Sequence, residues 1–284
     1  MTTPDFSLLE AVRCRRPLVH CISNLVSAND CANLALAVGA SPVMAQAPEE
    51  MEALAAASAA AVLNTGTPDE EKFRSCLLRG QAAQRLGQPV ILDPVGVGGS
   101  PWRLGRVEAL LSAFTPSLLR VNPGEAQALL HLESQERGVD SPAAPDPDRR
   151  AELALRLARE RGTAVLLTGP EDLASDGEAL WKISGGSPLT AQITGTGCML
   201  SVLCGVFAAV EPDALRAAVA AAAFWRACAR RAEERAGNRG PGSFRAALLD
   251  AAGTLTAPDL AAGAGFTKGV VPPSALSTER PKWP

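Results

Sequence analysis

Short apolar runs alternate with stretches of helical periodicity along most of the chain. The apolar runs predict buried strands at residues 17–22, 41–45, 60–64, 89–93, 117–121 and 163–168. Apolar residues spaced by three and four predict helices at residues 27–38, 48–57, 68–87, 103–114, 123–131, 147–161, 197–210, 212–236 and 243–254. This alternation predicts parallel strands joined by right-handed crossovers. We therefore expect an α/β fold of three layers, with helices on both faces of a mostly parallel sheet.

Other parts of the chain break this alternation. Residues 172–183 predict a short hairpin with its turn at Ser175-Asp176-Gly177, and residues 132–147, rich in Pro, Asp, Ser and Glu, predict a surface excursion. After Gly197 the predicted elements are almost all helices. We predict one domain over residues 1–254. Residues 255–284, where Gly, Pro and Ala recur without a period, predict an extended or flexible tail.

Composition and charge exclude several classes of protein. The 284 residues carry a formal net charge of −3, so we expect no sequence-wide attraction to nucleic acid or to an anionic membrane. We find no stretch apolar enough to span a bilayer and no secretion signal. The seven scattered cysteines argue against a disulfide framework or a zinc site, and a cytoplasmic location fits this pattern. The arginines of one predicted helix are interpreted as solvent-exposed: Arg226, Arg230, Arg231 and Arg235.

The candidate chemistry is centred on residues 192–199, Gln-Ile-Thr-Gly-Thr-Gly-Cys-Met, which precede an apolar helix. Gly195 and Gly197 flank Thr196 and allow a tight turn whose N–H groups point at one place. The helix start adds its positive dipole end, which suits an anion. Cys198 falls in the first turn, where we expect a lowered thiol pKa. Phosphoryl transfer needs such an anion site, although a tight turn with a packed cysteine is the structural alternative.

Polar residues also follow most of the predicted strands, at the edge where ligands bind parallel sheets. Asp93 and Glu125 offer the two carboxylates that Mg²⁺ takes beside water and phosphate, although Glu125 can instead cap a helix. Arg120 ends an apolar strand, where a permanent charge indicates either a nucleotide phosphate or an ion pair. Thr168 can offer a hydroxyl to a phosphate or a base, or simply close a turn.

Further candidates follow the first two strands. Asn24 belongs to a polar cluster with Asn29, Asp30 and Asn33, some of which share a helix face. Met44 follows the second strand. A thioether can pack on a small heteroaromatic ring, although a methionine is more often part of a core. In the predicted sheet, Met44 lies at the edge where ligands bind.

These motifs resemble one known family when they are taken in order. They are Ser23-Asn24-Leu25-Val26, Asn29, Ala32-Asn33, Pro42-Val43-Met44, Ala61-Val62-Leu63-Asn64-Thr65-Gly66-Thr67, Leu92-Asp93-Pro94-Val95-Gly96 and Ile193-Thr194-Gly195-Thr196-Gly197-Cys198. Between about residue 10 and residue 254 the chain resembles hydroxyethylthiazole kinase, a thiamine-salvage enzyme of the ribokinase-like superfamily. The resemblance implies a ribokinase-like three-layer α/β/α sandwich. It also implies ATP-dependent phosphorylation of the primary hydroxyl of 4-methyl-5-(2-hydroxyethyl)thiazole.

The resemblance implies which residues bind the two substrates. Met44, Gly195 and Asn24 would contact the thiazole alcohol, and Arg120 and Thr168 would contact ATP. Members of the family are homotrimers whose substrate sites lie between neighbouring subunits. We therefore expect a homotrimer with active sites at the subunit interfaces.

The resemblance also assigns the chemical step. Asp93 and Glu125 would organise Mg²⁺, directly or through bound water, together with the phosphate. The turn Gly195-Thr196-Gly197 would form the anion hole for the transferring phosphoryl group. Cys198 would accept the hydroxyl proton, at a position where sugar kinases of the superfamily carry an aspartate. General-base assistance of this kind contributes about 10²- to 10⁴-fold.

One motif departs from the family pattern, and other functions stay open. Arg120-Val121-Asn122-Pro123-Gly124-Glu125 stands where the family usually has Arg-Gly-Asn-Ala-Ser-Glu. Its Asn-Pro-Gly-Glu part resembles the ATP- or ADP-dependent dehydratases that repair hydrated nicotinamide cofactors, NAD(P)HX. A related pyrimidine or pyridoxal kinase and a non-catalytic binding module are further alternatives. A covalent nucleophile at Cys198 is disfavoured, because neither His20 nor His131 is obviously placed to assist it.

Overall fold

The computed structural model describes residues 4–132, 146–263 and 265–268, within which nine strands form one sheet. The strands are β1 (Leu18–Ile22), β2 (Ser41–Val43), β3 (Ala60–Asn64), β4 (Val90–Asp93), β5 (Leu118–Val121), β6 (Ala164–Leu167), β7 (Asp172–Ser175), β8 (Leu180–Ser184) and β9 (Gly265–Lys268). Their order is β2-β1-β3-β4-β5-β6-β7-β8-β9. Strands β1 to β6 pair with one another in parallel, whereas the pairs β6–β7, β7–β8 and β8–β9 are antiparallel.

Eleven α-helices lie within the same described residues. They are α1 (Ser7–Arg15), α2 (Ala28–Val38), α3 (Met51–Ala57), α4 (Glu70–Leu86), α5 (Pro101–Ala113), α6 (Pro123–Leu129), α7 (Pro147–Arg161), α8 (Thr196–Ala208), α9 (Ala214–Ala236), α10 (Pro241–Thr254) and α11 (Ala257–Gly263). No helix in these ranges combines the length and hydrophobicity needed to cross a membrane. All seven cysteines are free thiols, and six of them are buried.

The helices form two layers because successive residues of a strand point to opposite faces of the sheet. Val62 and Ile91 belong to the core shared with α1, α2, α8, α9 and α10. Their neighbours Leu63 and Leu92 belong to the second core, shared with α3 to α7. The central parallel strands are therefore apolar on both faces, which is why β3 and β6 appear in the sequence as apolar runs. The predicted three-layer α/β fold is confirmed.

The order of the strands reverses at β1. From β1 the chain enters α2 on one face of the sheet, whereas from β3 it enters α4 on the other face. The two loops diverge, and a crevice opens at the carboxyl ends of β1 and β3. The polar residues predicted to follow the strands all lie along this edge, so the topology gathers them at one place.

The predicted strands and helices are present, with ends that differ by a few residues. The predicted hairpin is observed as β7 and β8. Helix α1 was not predicted. In the segment predicted to be a tail, α11 and β9 are formed, and β9 pairs with β8. The predicted surface excursion falls mainly on residues 133–145, outside the described residues, as do residues 269–284.

Candidate active site

Asp93 ends β4 at the centre of the crevice and is fully buried. Its Oδ2 accepts hydrogen bonds from Asn64 Nδ2 at 2.9 Å and from Ser201 Oγ at 2.6 Å. Its Oδ1 is buried and, within the described part of the chain, receives no hydrogen bond. The nearest cation is Arg120, whose Nη1 lies 3.6 Å from Oδ1. The protein thus holds one carboxylate oxygen in place and leaves the other available for a further partner.

Arg120 is the second-last residue of β5, and its guanidinium joins three parts of the site. It faces Asp93, and its Nη2 donates to Thr168 Oγ1 at 2.9 Å. A Cβ on Gly197 would lie 2.6 Å from the same Nη2, so the guanidinium packs against the glycine turn. Burial lowers the pKa of Arg120, but Asp93 and Glu125 outweigh burial and raise that pKa overall. A permanent positive charge therefore lies between the carboxylates and the turn.

Glu125 both caps a helix and faces the site. It forms a capping box with Asn122 at the start of α6: Asn122 Oδ1 accepts from Glu125 N at 2.8 Å, and Glu125 Oε2 accepts from Asn122 N at 2.8 Å. Its Oε1 accepts from Gly96 N at 2.9 Å, which ties α6 to the loop after β4. Pro123, part of the sequence departure, occupies the first helical position, where proline is favoured. Burial raises the pKa of Glu125, against the effect of Arg120.

The glycine turn lies at the start of α8, with Gly195 at the N-cap and Thr196 and Gly197 in the first helical turn. Gly195 has φ of +83°, and a Cβ there would lie 2.5 Å from Ser27 Cβ, so no larger residue fits. The Thr196 hydroxyl donates to the Thr190 carbonyl at 3.1 Å and closes the loop behind the turn. The first N–H groups of α8 have no carbonyl partner within the helix, and glycine at the N-cap offers no side chain to bind them. The turn has the geometry of an anion site.

Cys198 contradicts the prediction of a lowered thiol pKa. Burial, followed by the negative charge of Asp93, raises the pKa of Cys198 above the usual thiol value. The polar neighbours Ser27 and Asn64 and the charge of Arg120 lower the pKa of Cys198 but are outweighed. Only 8% of the residue is exposed. The cost of removing water from the thiolate therefore outweighs the stabilisation that the helix N-terminus gives to a negative charge. The thiol is therefore protonated near neutral pH.

Asn24 and Asn64 connect the first and third strand ends. Asn64 Oδ1 accepts from Gly66 N at 2.9 Å while its Nδ2 binds Asp93. A Cβ on Gly66 would lie 2.4 Å from Asn24 Nδ2, so the two loops touch here. Met44 lies after the neighbouring β2, half-buried against the core that contains α8. The first three strand ends thus form one continuous wall of the crevice.

Sequence reasoning missed two residues of the site. Ser201, which binds Asp93, is a polar residue one turn after Gly197 in an otherwise apolar helix, a signal that was available. The prediction that Arg226 is solvent-exposed is wrong, since only 12% of its side chain is exposed. Its Nη2 and Nε bind the two Asp172 oxygens at 2.7 and 2.8 Å. It also donates to the carbonyls of Gly169, Pro170 and Gly185.

Arg226 lines a cleft on the far side of the glycine turn from Asn24. The cleft is lined, among others, by Arg120, Thr168, Gly169, Gly197, Trp225 and Arg226. It combines the two arginines and a hydroxyl with the largely buried Trp225, beside the start of α8. Phosphate groups are the ligand chemistry that such a lining can hold.

Comparisons of sequence agree on one family. The model of the hydroxyethylthiazole kinase family matches residues 9–258. Hydroxyethylthiazole kinase of Listeria monocytogenes serotype 4a (strain HCC23) is 43% identical over 247 residues, which are 87% of this chain and 91% of the relative. The enzyme of the same name from Methanoculleus marisnigri is 44% identical over 261 residues, covering 89% of this chain and 90% of the relative.

Comparisons of structure give one neighbour of the same name and more distant neighbours. The solved structure of hydroxyethylthiazole kinase protein from Pyrococcus horikoshii OT3 matches with a TM-score of 0.84 and 35% identity, covering 93% of this chain and 98% of that one. A Staphylococcus aureus pyridoxal kinase in complex with AMP-PCP has a TM-score of 0.59 and 14% identity, covering 75% and 88% of the two chains. At that identity the second match indicates a shared fold only.

Proposed function

The chain belongs to the hydroxyethylthiazole kinase family, and we propose that the residues around Asp93, Arg120 and Cys198 carry out its reaction. The protein is an ATP-dependent kinase that phosphorylates the primary hydroxyl of 4-methyl-5-(2-hydroxyethyl)thiazole in thiamine salvage. The alternative functions are not favoured, because the family match spans residues 9–258. The pyridoxal kinase likeness, at 14% identity, concerns the fold alone.

One observation carries the assignment of the reacting site: Arg120 contacts both Asp93 and the glycine turn at the start of α8. The transferring phosphoryl group would lie at this turn, held by the backbone N–H groups of Thr196, Gly197 and Cys198. Arg120 would stabilise the negative charge that develops there. Such positioned donors and charges supply most of the rate of phosphoryl transfer.

The alcohol would bind on the β1–β3 side of the turn. Asn24 and Met44 would contact the thiazole, and Gly195 would allow its hydroxyethyl arm to approach the phosphate closely. Cys198 would accept the hydroxyl proton in its thiolate form. Because burial raises the pKa of Cys198, only a small fraction is thiolate near neutral pH, and this step contributes less than positioning does.

ATP would bind in the cleft on the other side of the turn. The Thr168 hydroxyl and the Arg120 guanidinium line this cleft and would contact the phosphates. Arg226 holds the loops at residues 169–170 and 185, which form the cleft's rim. This arrangement supports entry of the two substrates from opposite sides of α8.

Asp93 and Glu125 have the donor chemistry for Mg²⁺. Asp93 Oδ1, buried and without a hydrogen bond, is the atom that best fits a cation or its bound water. Within the described ranges, no cluster of three or more His, Cys, Asp or Glu side chains is arranged for a metal, so phosphate and water would complete the coordination. The ion would supply positive charge to the β- and γ-phosphates.

We also propose the homotrimer expected from the family, with active sites between subunits. Leu25 and Val26, which follow Asn24, are 75% and 61% exposed, and Leu36 is 55% exposed. Apolar side chains beside a substrate site indicate a surface covered by another chain. Light scattering after size-exclusion chromatography tests this assembly, and the double variant Leu25→Lys, Val26→Lys is expected to dissociate it.

The reaction is tested with purified protein, ATP, Mg²⁺ and the thiazole alcohol, with the phosphorylated product measured by mass. Product that depends on both the alcohol and Mg²⁺ is expected from the wild type. The matched variant Asp93→Asn keeps the size of the side chain but loses the charge, and should form product at least about 10²-fold more slowly. ATP turnover that needs hydrated NADH instead of the alcohol would assign the dehydratase reaction.

A further inference from the structure

Helix α4 presents three buried polar side chains on one face. Lys72, Ser75 and Arg79 are spaced by three and four residues, so they lie along one side of the helix. Their relative exposures are 1%, 0% and 0%. Among the residues that the structure describes, Lys72 and Arg79 are the two largest fully buried side chains. Lysine and arginine side chains are almost never fully buried unless they are paired with an acid. The burial of Lys72 and Arg79 on this face of α4 therefore indicates a specific role.

The two cations bind neutral groups. Lys72 Nζ donates to the carbonyls of Ser23 and Gly66 at 2.8 and 2.7 Å, and to Thr67 Oγ1 at 3.2 Å. Arg79 Nη2 donates to a serine hydroxyl and a glutamine amide oxygen. Burial lowers the pKa of Lys72, and it lowers that of Arg79 to about 10. Burying charge in this way opposes folding, so stability alone does not account for the two residues.

The partners of this face belong to the loops that follow β1, β2 and β3. Lys72 joins the first loop, at Ser23, to the third loop, at Gly66. Ser75 Oγ donates to the Gln46 carbonyl of the second loop at 2.6 Å. The first two loops carry Asn24 and Met44, and the third directly follows Asn64, so one helix is bonded to all three loops on the alcohol side of the crevice.

Arg79 reaches the second loop through His20. Arg79 Nε donates to His20 Nδ1 at 3.0 Å, which leaves the imidazole proton on Nε2. Nε2 then donates to the Ala45 carbonyl at 3.0 Å. Ala45 directly follows Met44. Because the guanidinium can only donate, it fixes the tautomer that holds this loop.

We propose that Lys72, Ser75 and Arg79 position the three loops that bind the alcohol, and that His20 is the positioning residue through which Arg79 acts on Met44. The inference rests on the proposed placement of the thiazole at these loops. A loop that is already held in place loses less conformational entropy when the alcohol binds. Loss of a tether therefore raises the KM for the alcohol. The KM for ATP is unaffected, since the nucleotide cleft has its own support at Arg226.

Two substitutions of His20 separate positioning from a purely structural role. His20→Gln keeps an amide donor near the Nε2 position for the Ala45 carbonyl but loses the acceptor for Arg79. His20→Asn keeps an acceptor near Nδ1 and loses the donor. Positioning predicts an alcohol KM raised about 10-fold in His20→Asn and less than about 3-fold in His20→Gln, with the KM for ATP unchanged in both. The opposite ranking, or equal changes in the two KM values, overturns the proposal.

Ser75→Ala is a milder variant that decides the question even where the His20 variants fail to fold. It removes the donor to Gln46 O and is expected to raise the alcohol KM about 3- to 10-fold without changing the KM for ATP. Hydrogen exchange at residues 44–47 of the ligand-free protein should be faster in Ser75→Ala and His20→Asn than in the wild type. This readout is independent of catalysis, so a wild type that fails to phosphorylate the alcohol refutes the function but not the tethers. Unchanged exchange in both variants overturns the proposal.

Discussion

Acidification from about pH 7.5 to about pH 5 is expected to destabilise the folded protein through His20. The ring is fully buried between the Arg79 guanidinium and the Ala45 carbonyl. Burial first, and then the charge of Arg79, lower the pKa of His20 from 6.5 to about 4. The unfolded chain therefore binds a proton in a range where the folded protein does not. Stability from this group is complete above pH 6.5 and falls as the pH drops toward 4.

The size of the effect follows from the two pKa values. The full shift corresponds to about 3 kcal/mol, and about 2 kcal/mol of it is lost between about pH 7.5 and about pH 5. Other groups titrate in the same range, and Asp93 and Glu125 act with the opposite sign because burial raises the pKa of each. The comparison is therefore made against His20→Gln, which does not titrate.

The assay is urea unfolding of the wild type and His20→Gln at both pH values, at one fixed protein concentration. The free energy of unfolding of the wild type, taken relative to the variant, should fall by about 2 kcal/mol at the lower pH. Groups common to both proteins cancel in this difference. A difference that does not change with pH would refute the neutral, doubly bonded imidazole.

Three further predictions concern the reaction. Turnover of the wild type should rise with pH above neutrality as Cys198 ionises, and Cys198→Asp should stay active and lose that rise; a flat wild-type profile contradicts the base role. Gly197→Ala places a methyl group within 3 Å of the Arg120 nitrogens, so kcat should fall at least about 10²-fold while the melting temperature changes little. Arg226→Lys cannot bind both Asp172 oxygens, and steady-state kinetics should show a KM for ATP raised about 10-fold; an equal change in the alcohol KM contradicts its placement.

The central parallel strands, such as β3 and β6, could be predicted because they are buried on both faces and therefore form apolar runs in the sequence. The elements that were missed depend on distant contacts. Strand β9 forms because it pairs with the free edge of β8. The paired residues Ser184 and Gly265 are 81 positions apart in the sequence. Its own sequence, Gly-Phe-Thr-Lys, has little strand propensity beyond the phenylalanine and the threonine.

The site residues could be predicted from the sequence where a residue type at a given position has one usual function. Asp93 and the glycine turn were identified from strand ends and loop chemistry. The pKa of Cys198 could not be predicted from the sequence. It depends on burial and on Asp93, which is 105 positions away in sequence. Lysine and arginine are usually surface residues, and only the packing of loops around them shows that Lys72 is buried and Arg226 largely covered.

Strand β2 forms one margin of the sheet, and its central residue is Pro42. Ser41 N donates inward to the Pro17 carbonyl, so the nitrogen of Pro42 faces outward. A proline there leaves a gap in the row of donors that an approaching extended peptide would need. Three residues also give such a peptide very little length to pair with. This margin therefore resists the edge-to-edge association that leads open sheets to aggregate during overproduction and storage.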